Sequence, residues 1–271
     1  MRTLVFTLII FFYLKTAGQD SIIENSIGMK FKRIPAGRFY MGTFSPTVSA
    51  VGFFSNQTEP LHDSIYENAK VLALRSSMPG FEVKIQDPYY IGVYEVSQLE
   101  WKKIMNKNPS VFDEAYMQKN TDDYPVEHVS WKDCKKFITK MNKKDKGKFK
   151  YRLPTETEWE YAARGGNKDD ISWPEIWKTA VTGVQTPAAK GSKEPNFYGL
   201  FDVLGNVWEW VEDKYNAKIF ADPSASGTVH EHVIKGSCFY GDVKNATYMT
   251  HAGGKGKRYD IGFRLIIEKV N

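Results

Sequence analysis

Cysteine is almost missing from this chain: Cys134 and Cys238 are the only two in 271 residues. At most one bridge can form, so disulfides do not frame the fold. In an oxidising compartment the two could pair; equally, they could sit apart as small buried hydrophobes, and both readings stay open. Long apolar runs are also scarce. The one near-continuous stretch, Leu4 to Leu14, is too short to span a bilayer comfortably. Preceded by Arg2 and followed by the small residues Ala17 and Gly18, it has the layout of a cleaved export signal over residues 1–18. No cysteine stands at that cleavage point, which excludes a lipid-anchored mature terminus. One-signed charge is lacking too, since 37 basic residues face 32 acidic ones. The single basic cluster, Lys143 to Lys148, has no aromatic platform beside it, and nucleic acid is not an expected partner.

What the chain has in quantity is aromatic residues, 14% of the total. Such a composition suggests a core that draws its buried area from rings. No fixed repeat period appears. Residues 19–28 read as a linker leading into one domain over 29–271. Ile34-Pro-Ala-Gly37 reads as the turn of a hairpin, with Phe31 and Arg33 on one arm and Phe39 and Met41 on the other. Residues 43–79 form an irregular insertion, with a helix near Asp63 to Leu74. Strands follow between Phe81 and Val96.

Three helix starts share one chemistry. Ser97-Gln-Leu-Glu100, Ser130-Trp-Lys-Asp133 and Thr155-Glu-Thr-Glu158 each place a hydroxyl at the N-cap and a carboxylate three residues on. Behind Ser130, the residues Trp131, Cys134, Phe137, Ile138 and Met141 make one apolar stripe. The third helix should stop at Gly165-Gly166. Farther on, Val233 to Tyr240 and Ile261 to Glu268 read as strands. In the second, Ile261, Phe263, Leu265 and Ile267 face one way. Helices early and strands late predict an α+β domain.

Several segments, in order, carry a family resemblance. They are Ile34-Pro-Ala-Gly-Arg-Phe-Tyr-Met-Gly42, Tyr94-Glu-Val-Ser97, Pro125-Val-Glu-His-Val-Ser-Trp131, Tyr151 to Gly166, Tyr198 to Trp210, Lys235-Gly-Ser237 and Ile261-Gly-Phe-Arg264. Together they resemble the formylglycine-generating-enzyme (sulfatase-modifying-factor) family across nearly the whole mature chain. The resemblance implies a loop-rich α+β fold related to C-type lectins. Active members oxidise a sulfatase cysteine to formylglycine with copper on two cysteines. Copper(I) is soft and favours paired thiolates. In this sequence the two cysteine positions fall at Tyr240 and Asn245, so copper is not expected. Cys238 stands alone, beside the motif rather than in register with it.

The resemblance also implies a structural calcium, held by the Asp202 side chain, the carbonyls of Gly205 and Val207, and Glu209. Those are the hard oxygens that calcium requires. Three functions follow as expectations. The first is an exported, non-catalytic, calcium-stabilised binding or scaffold protein, periplasmic, outer-membrane-associated or secreted. Its partner would be a protein or glycan, including envelope or secretion components. The second is a divergent oxidoreductase acting on protein cysteine or a small thiol. There Cys238 is the candidate catalytic residue, with His232 or His251 as a non-thiol ligand. His230 and His232 would share one strand face, with His251 joining them. The third is a lectin-like carbohydrate-binding module. Smaller expectations are an Arg152–Glu160 pair, a core role for Trp208 and Trp210, and a carboxylate partner for buried Arg264.

Overall fold

The computed structural model describes residues 22–42, 79–166, 173–228 and 230–270. The expected signal, most of the insertion and its helix lie outside these residues. Strands in the first half are β1 (Ile22–Glu24), β2 (Lys30–Ile34), β3 (Gly37–Met41), β4 (Phe81–Ile85) and β5 (Tyr89–Gly92). Five helices follow, interrupted by β6 (Phe149–Arg152): α1 (Gln98–Met105), α2 (Glu114–Met117), α3 (Trp131–Lys144), α4 (Glu156–Arg164) and α5 (Trp173–Thr179). The rest is β7 (Trp208–Lys214), β8 (His232–Lys235), β9 (His251–Gly254), β10 (Ile261–Gly262) and β11 (Ile266–Lys269). Strands thus stand on both sides of the helical segment, not only after it.

The strands form an antiparallel sheet in the order β1-β2-β5-β11-β6, a second sheet in the order β10-β7-β8-β9, and a β3-β4 ribbon. β10 runs parallel to β7. The stretch read as a linker contributes β1, which pairs with β2. It then turns on Asn25, whose Oδ1 accepts from the N–H groups of Ile27 and Met29.

All three capping boxes form as expected, on Ser97, Ser130 and Thr155. α4 stops at Gly165, whose φ of 61° is one that glycine adopts without a Cβ clash. On α3 the residues Cys134, Phe137, Ile138 and Met141 are buried. Trp131 lies at the stripe's edge and donates its indole N–H to the Val211 carbonyl at 3.0 Å. Trp101 stacks on Phe137 at 5.3 Å, and Phe263 meets Trp101 edge-on at 6.0 Å. Rings do supply the centre of this core.

Three strand expectations change, the simplest being that the expected strand from Val233 to Tyr240 ends at Lys235, in β8. β2 and β3 both form, but they do not pair: β2 lies between β1 and β5, while β3 pairs with β4. Pro35 and the tight seat of Gly37 explain the departure. A Cβ on Gly37 would stand 2.2 Å from the Tyr161 hydroxyl, so the chain leaves the first sheet to pass close over α4. The expected strand from Ile261 to Glu268 breaks into β10 and β11, which belong to different sheets. Every residue from 261 to 267 is buried, so the segment has no solvent face on which alternation could show.

Ser130→Ala should lower stability by about 1 kcal/mol through loss of the cap. Phe137→Ala, on the buried face of the same helix, should cost about 3–5 kcal/mol. Denaturant midpoints of the two variants compare the effects directly.

Candidate functional site

β8 ends in Lys235-Gly236-Ser237, and this turn presents the segment where the family's chemistry is expected. Gly236 has a φ of 92°, and a Cβ there would meet the Val203 carbonyl oxygen at 2.8 Å. Lys235 is buried beneath the turn. Its Nζ lies 3.0 Å from Glu160 and 3.6 Å from Glu156. Glu160 also accepts from Arg164 at 2.9 Å. The expected Arg152–Glu160 pair is therefore absent. Arg152 instead grips Glu158 with two nitrogens, each at 2.7 Å, and Glu268 with its Nε at 2.7 Å. Residues 158 and 160 lie two apart on a helix, so their side chains leave on different sides.

Cys238 follows the turn and is buried against Phe112, Val181 and Phe239. Burial first, and then the neighbouring Asp260, pushes its thiol up to about 11. A thiol in that state is a poor nucleophile at neutral pH. Cys134 is buried in a different cluster, around Trp101 and Phe137, and both cysteines are free thiols. Between the two readings open in the sequence, the structure selects separate buried thiols. Tyr240 and Asn245, near which the resemblance would place paired cysteines, are a phenol and an amide. Tyr240 is half-exposed and donates to Asp260 at 2.6 Å, and Asn245 ends a short 3-10 turn, Val243–Asn245.

The histidines do not converge. Only His232 lies in β8, and the register places His251 opposite Lys235 rather than opposite His232. The His232 ring stacks on Trp131 at 3.8 Å, and its two nitrogens face the Glu212 carbonyl and the Lys214 ammonium. His251 lies between the rings of Tyr215 and Phe220, with Nδ1 3.1 Å from Glu156. His230 is exposed.

Two of the expected calcium residues, Asp202 and Glu209, lie in one buried acidic centre. Arg264 closes a fork on Glu209 at 2.6 and 2.7 Å, and Trp159 donates to the same carboxylate at 2.7 Å. Arg264 also donates to the carbonyls of Gly92 and Phe201, both at 3.1 Å. The expected carboxylate partner of Arg264 is thus Glu209. A further acid, Glu95, comes from the Tyr94-Glu-Val-Ser97 segment. It accepts from the Asn206 side chain at 2.6 Å and from the Val207 N–H at 3.3 Å. Burial, then Asp202 and Glu209, hold Glu95 well above the usual carboxylate range. Burial likewise moves Asp202 up to about 6. One buried guanidinium therefore faces three buried carboxylates, and the surplus is negative.

Among the described residues no group of three or more His, Cys, Asp or Glu side chains is arranged to hold a metal ion. The expected calcium set does not need one, because it uses two carboxylates and two carbonyls. Asp202 Oδ1 is buried with no partner, and its residue is held at a φ of 57°. Among the described residues, no turn or loop backbone hydrogen bond ends on the carbonyl of Gly205 or Val207. Glu209 has both oxygens engaged, with a lone pair left on Oε1. An unpaired buried oxygen and surplus negative charge fit a hard cation.

Glu127, in the segment leading to α3, was not singled out by sequence. It is fully buried and accepts from the Phe112 N–H at 2.9 Å, while its Oε2 has no partner. Nothing in an isolated Glu between two valine-flanked positions announces such a seat.

With this geometry in hand, the family is settled. The family model for the sulfatase-modifying factor enzyme 1-like domain matches residues 29–269, so the chain belongs to that family. It has the family's mixed α+β, C-type-lectin-like fold. The chain is 35% identical over 141 residues to the formylglycine-generating enzyme of Streptomyces coelicolor, covering 43% of this chain and 42% of that one. It is 37% identical over 112 residues to the inactive C-alpha-formylglycine-generating enzyme 2 of Bos taurus, covering 35% of each. The chain thus spans less than half the length of either relative. Among solved structures, Treponema denticola variable protein 1 superposes with a TM-score of 0.67 at 22% identity, over 90% of this chain and 96% of that one.

Two measurements check the site. In the native protein neither thiol should react with a chromogenic disulfide reagent near neutral pH, and both should react after unfolding. Burial raises the Glu127 carboxyl from 4.5 to about 8. The folded state then holds a proton that the unfolded chain releases, so stability is full below about 4.5 and falls as pH rises to about 8. Glu127→Gln should gain on the wild type across that window, on the order of a few kcal/mol at its upper end. A pH-independent difference between the two melting curves would exclude this account.

Proposed function

We propose that this chain is an exported, non-catalytic member of the family, a calcium-stabilised binding or scaffold protein. The observation that carries the reading is the chemistry behind Ser237. Where two soft donors are required there stand Tyr240 and Asn245, and the one nearby thiol is buried and protonated. Copper(I) held by two sulfurs has no seat in such a site. The relative named as inactive supports a family framework that persists without turnover. The expected export segment, Met1 to Gly18, supports a location outside the cytoplasm. No described helix is long and apolar enough to cross a membrane.

Calcium would be held by the Asp202 carboxylate, the carbonyls of Gly205 and Val207, and Glu209. Its role there is structural: it supplies positive charge beside Arg264 and gives Asp202 Oδ1 a partner. A second reading, binding of a carbohydrate, is favoured by one observation. Tyr116, Tyr240 and Tyr259 are all exposed, and they gather on the face where the family's chemistry would sit.

The mature protein should retain no stoichiometric copper(I) and consume no oxygen with thiol peptides. Copper-dependent turnover would remove the non-catalytic reading. Calcium should raise the melting temperature and bind by calorimetry, and Asp202→Ala should abolish both effects. Equal calcium binding by wild type and Asp202→Ala would remove the proposed site.

A further inference from the structure

The exposed tyrosines are parts of one continuous surface. Phe112 lies beneath it and touches Tyr116 at 5.2 Å, Phe239 at 5.3 Å and Tyr259 at 6.2 Å between ring centroids. Tyr259 in turn meets Tyr240 at 5.8 Å. The row runs Tyr116, Phe112, Tyr259, Tyr240, and the three tyrosines are 62%, 47% and 45% exposed. Three separate segments build it: α2, far upstream in the sequence, the turn after Ser237, and the loop between β9 and β10. Apolar contacts that support such a row without covering it leave the ring faces free for a ligand.

The polar end of the row is built as firmly. Asp260 is fully buried and accepts from Arg258 Nε at 2.9 Å, from Arg258 Nη2 at 2.5 Å, and from the Tyr240 hydroxyl at 2.6 Å. The fork leaves Arg258 Nη1 with no partner among the described residues, on a side chain 44% exposed. Lys255 and Lys257 precede it in the same loop. Their ion pairs, with Glu231 at 3.1 Å and Asp133 at 3.3 Å, are solvent-exposed on the lysine side. Such pairs exchange readily for a better anion, being worth only about 0–1 kcal/mol each. Exposed acids stand near both ends of the row in sequence, Glu114 by Tyr116 and Asp242 by Tyr240, while the basic residues Lys255, Lys257 and Arg258 follow one another before Tyr259.

We infer that this face binds an acidic saccharide. The C–H face of a pyranose ring would lie on Tyr259 and Tyr240, and its carboxylate or sulfate would meet Arg258 Nη1, with Lys255 and Lys257 of the same loop adding positive charge. The face consists of phenols that end at an Arg–Asp pair. Wholly apolar exposed groups, Val111 and Val184, belong to segments at its margin. A sugar offers the matching surface, one apolar face with hydroxyls around its rim. An acidic peptide would satisfy the cations but not the stacked rings. The inference rests on the binding-protein reading and names the ligand class for it.

The test is titration of the mature protein with heparin and with oligogalacturonate, using neutral dextran and polyglutamate as controls. Binding of at least one acidic saccharide is expected, weakening as salt rises, with polyglutamate and dextran at least tenfold weaker. Tyr259→Ala and Tyr116→Ala, both at exposed side chains, should each reduce affinity for that saccharide three- to tenfold. Lys255→Ala with Lys257→Ala should reduce it by a similar factor and flatten the salt dependence. Arg258→Met should reduce it further, and circular dichroism checks that this variant folds. Equal binding of polyglutamate, or affinity that ignores the tyrosine changes, would overturn the saccharide assignment in favour of an acidic peptide or bulk charge. Silence of both acidic saccharides would overturn it as well. None of these outcomes bears on the copper and oxygen measurements, which decide separately whether the chain is non-catalytic.

Discussion

The ion pair between Glu209 and Arg264 is the constraint around which the rest of the molecule is arranged. Glu209 lies in β7 of one sheet, and Arg264 lies where the chain passes from that sheet to the other. The guanidinium also holds the carbonyls of Gly92 and Phe201, and the carboxylate holds the indole of Trp159. One buried charge pair thus joins both sheets, α4 and the loop before β7. A buried pair of this kind adds little net stability over a well-packed apolar substitute, because both charges lose their water. Its value is in specificity. With either partner mispositioned, the other is left as an unpaired charge in the interior, so only one mutual arrangement of the sheets is tolerated.

That constraint explains the surrounding electrostatics. Glu95 and Asp202 are drawn into the same centre, and one arginine does not neutralise three acids. Protons or a hard cation must supply the difference. The neighbouring Lys235, Glu160, Glu156 and Arg164 solve the same problem differently, by matching two cations to two carboxylates. Two buried polar centres therefore sit close together in the fold, and their charge balance differs. Asp202 Oδ1 in the one and Glu156 Oε1 in the other are both buried without a hydrogen-bond partner, but Glu156 has the Lys235 ammonium 3.6 Å away.

The surface above these centres inherits its rigidity from them. Lys235 anchors the turn at Gly236 and Ser237, and that turn sends Cys238 inward and Tyr240 outward. The Tyr240 hydroxyl is fixed there by buried Asp260. Fold and site are separable, so a shared scaffold does not by itself fix what this surface does.

Local chemistry was legible in the sequence wherever the cause is local. The capping residues Ser97, Ser130 and Thr155 each meet a partner three residues away, so their helix starts could be read directly. The stripe behind Ser130 and the stop at Gly165 were readable for the same reason. The resemblance carried by Tyr151 to Gly166 and Tyr198 to Trp210 also gave the fold class, because those segments hold the residues that pack the two buried centres. What could not be read were pairings across long separations. Arg152 and Glu160 looked like partners, but helix direction gave Arg152 to Glu158 and Glu160 to Lys235. The strand beginning at Ile261 looked continuous, and only the tertiary structure divided it between two sheets. The convergence of Glu95 with Asp202, and of Tyr116 with Tyr240 and Tyr259, arises from chain crossings that no spacing records. Sequence by itself determined which residues the fold would use and that no thiol pair stands behind Ser237. Tertiary structure alone decided which charges meet and which rings stay exposed, because both depend on burial at distances the linear order does not encode.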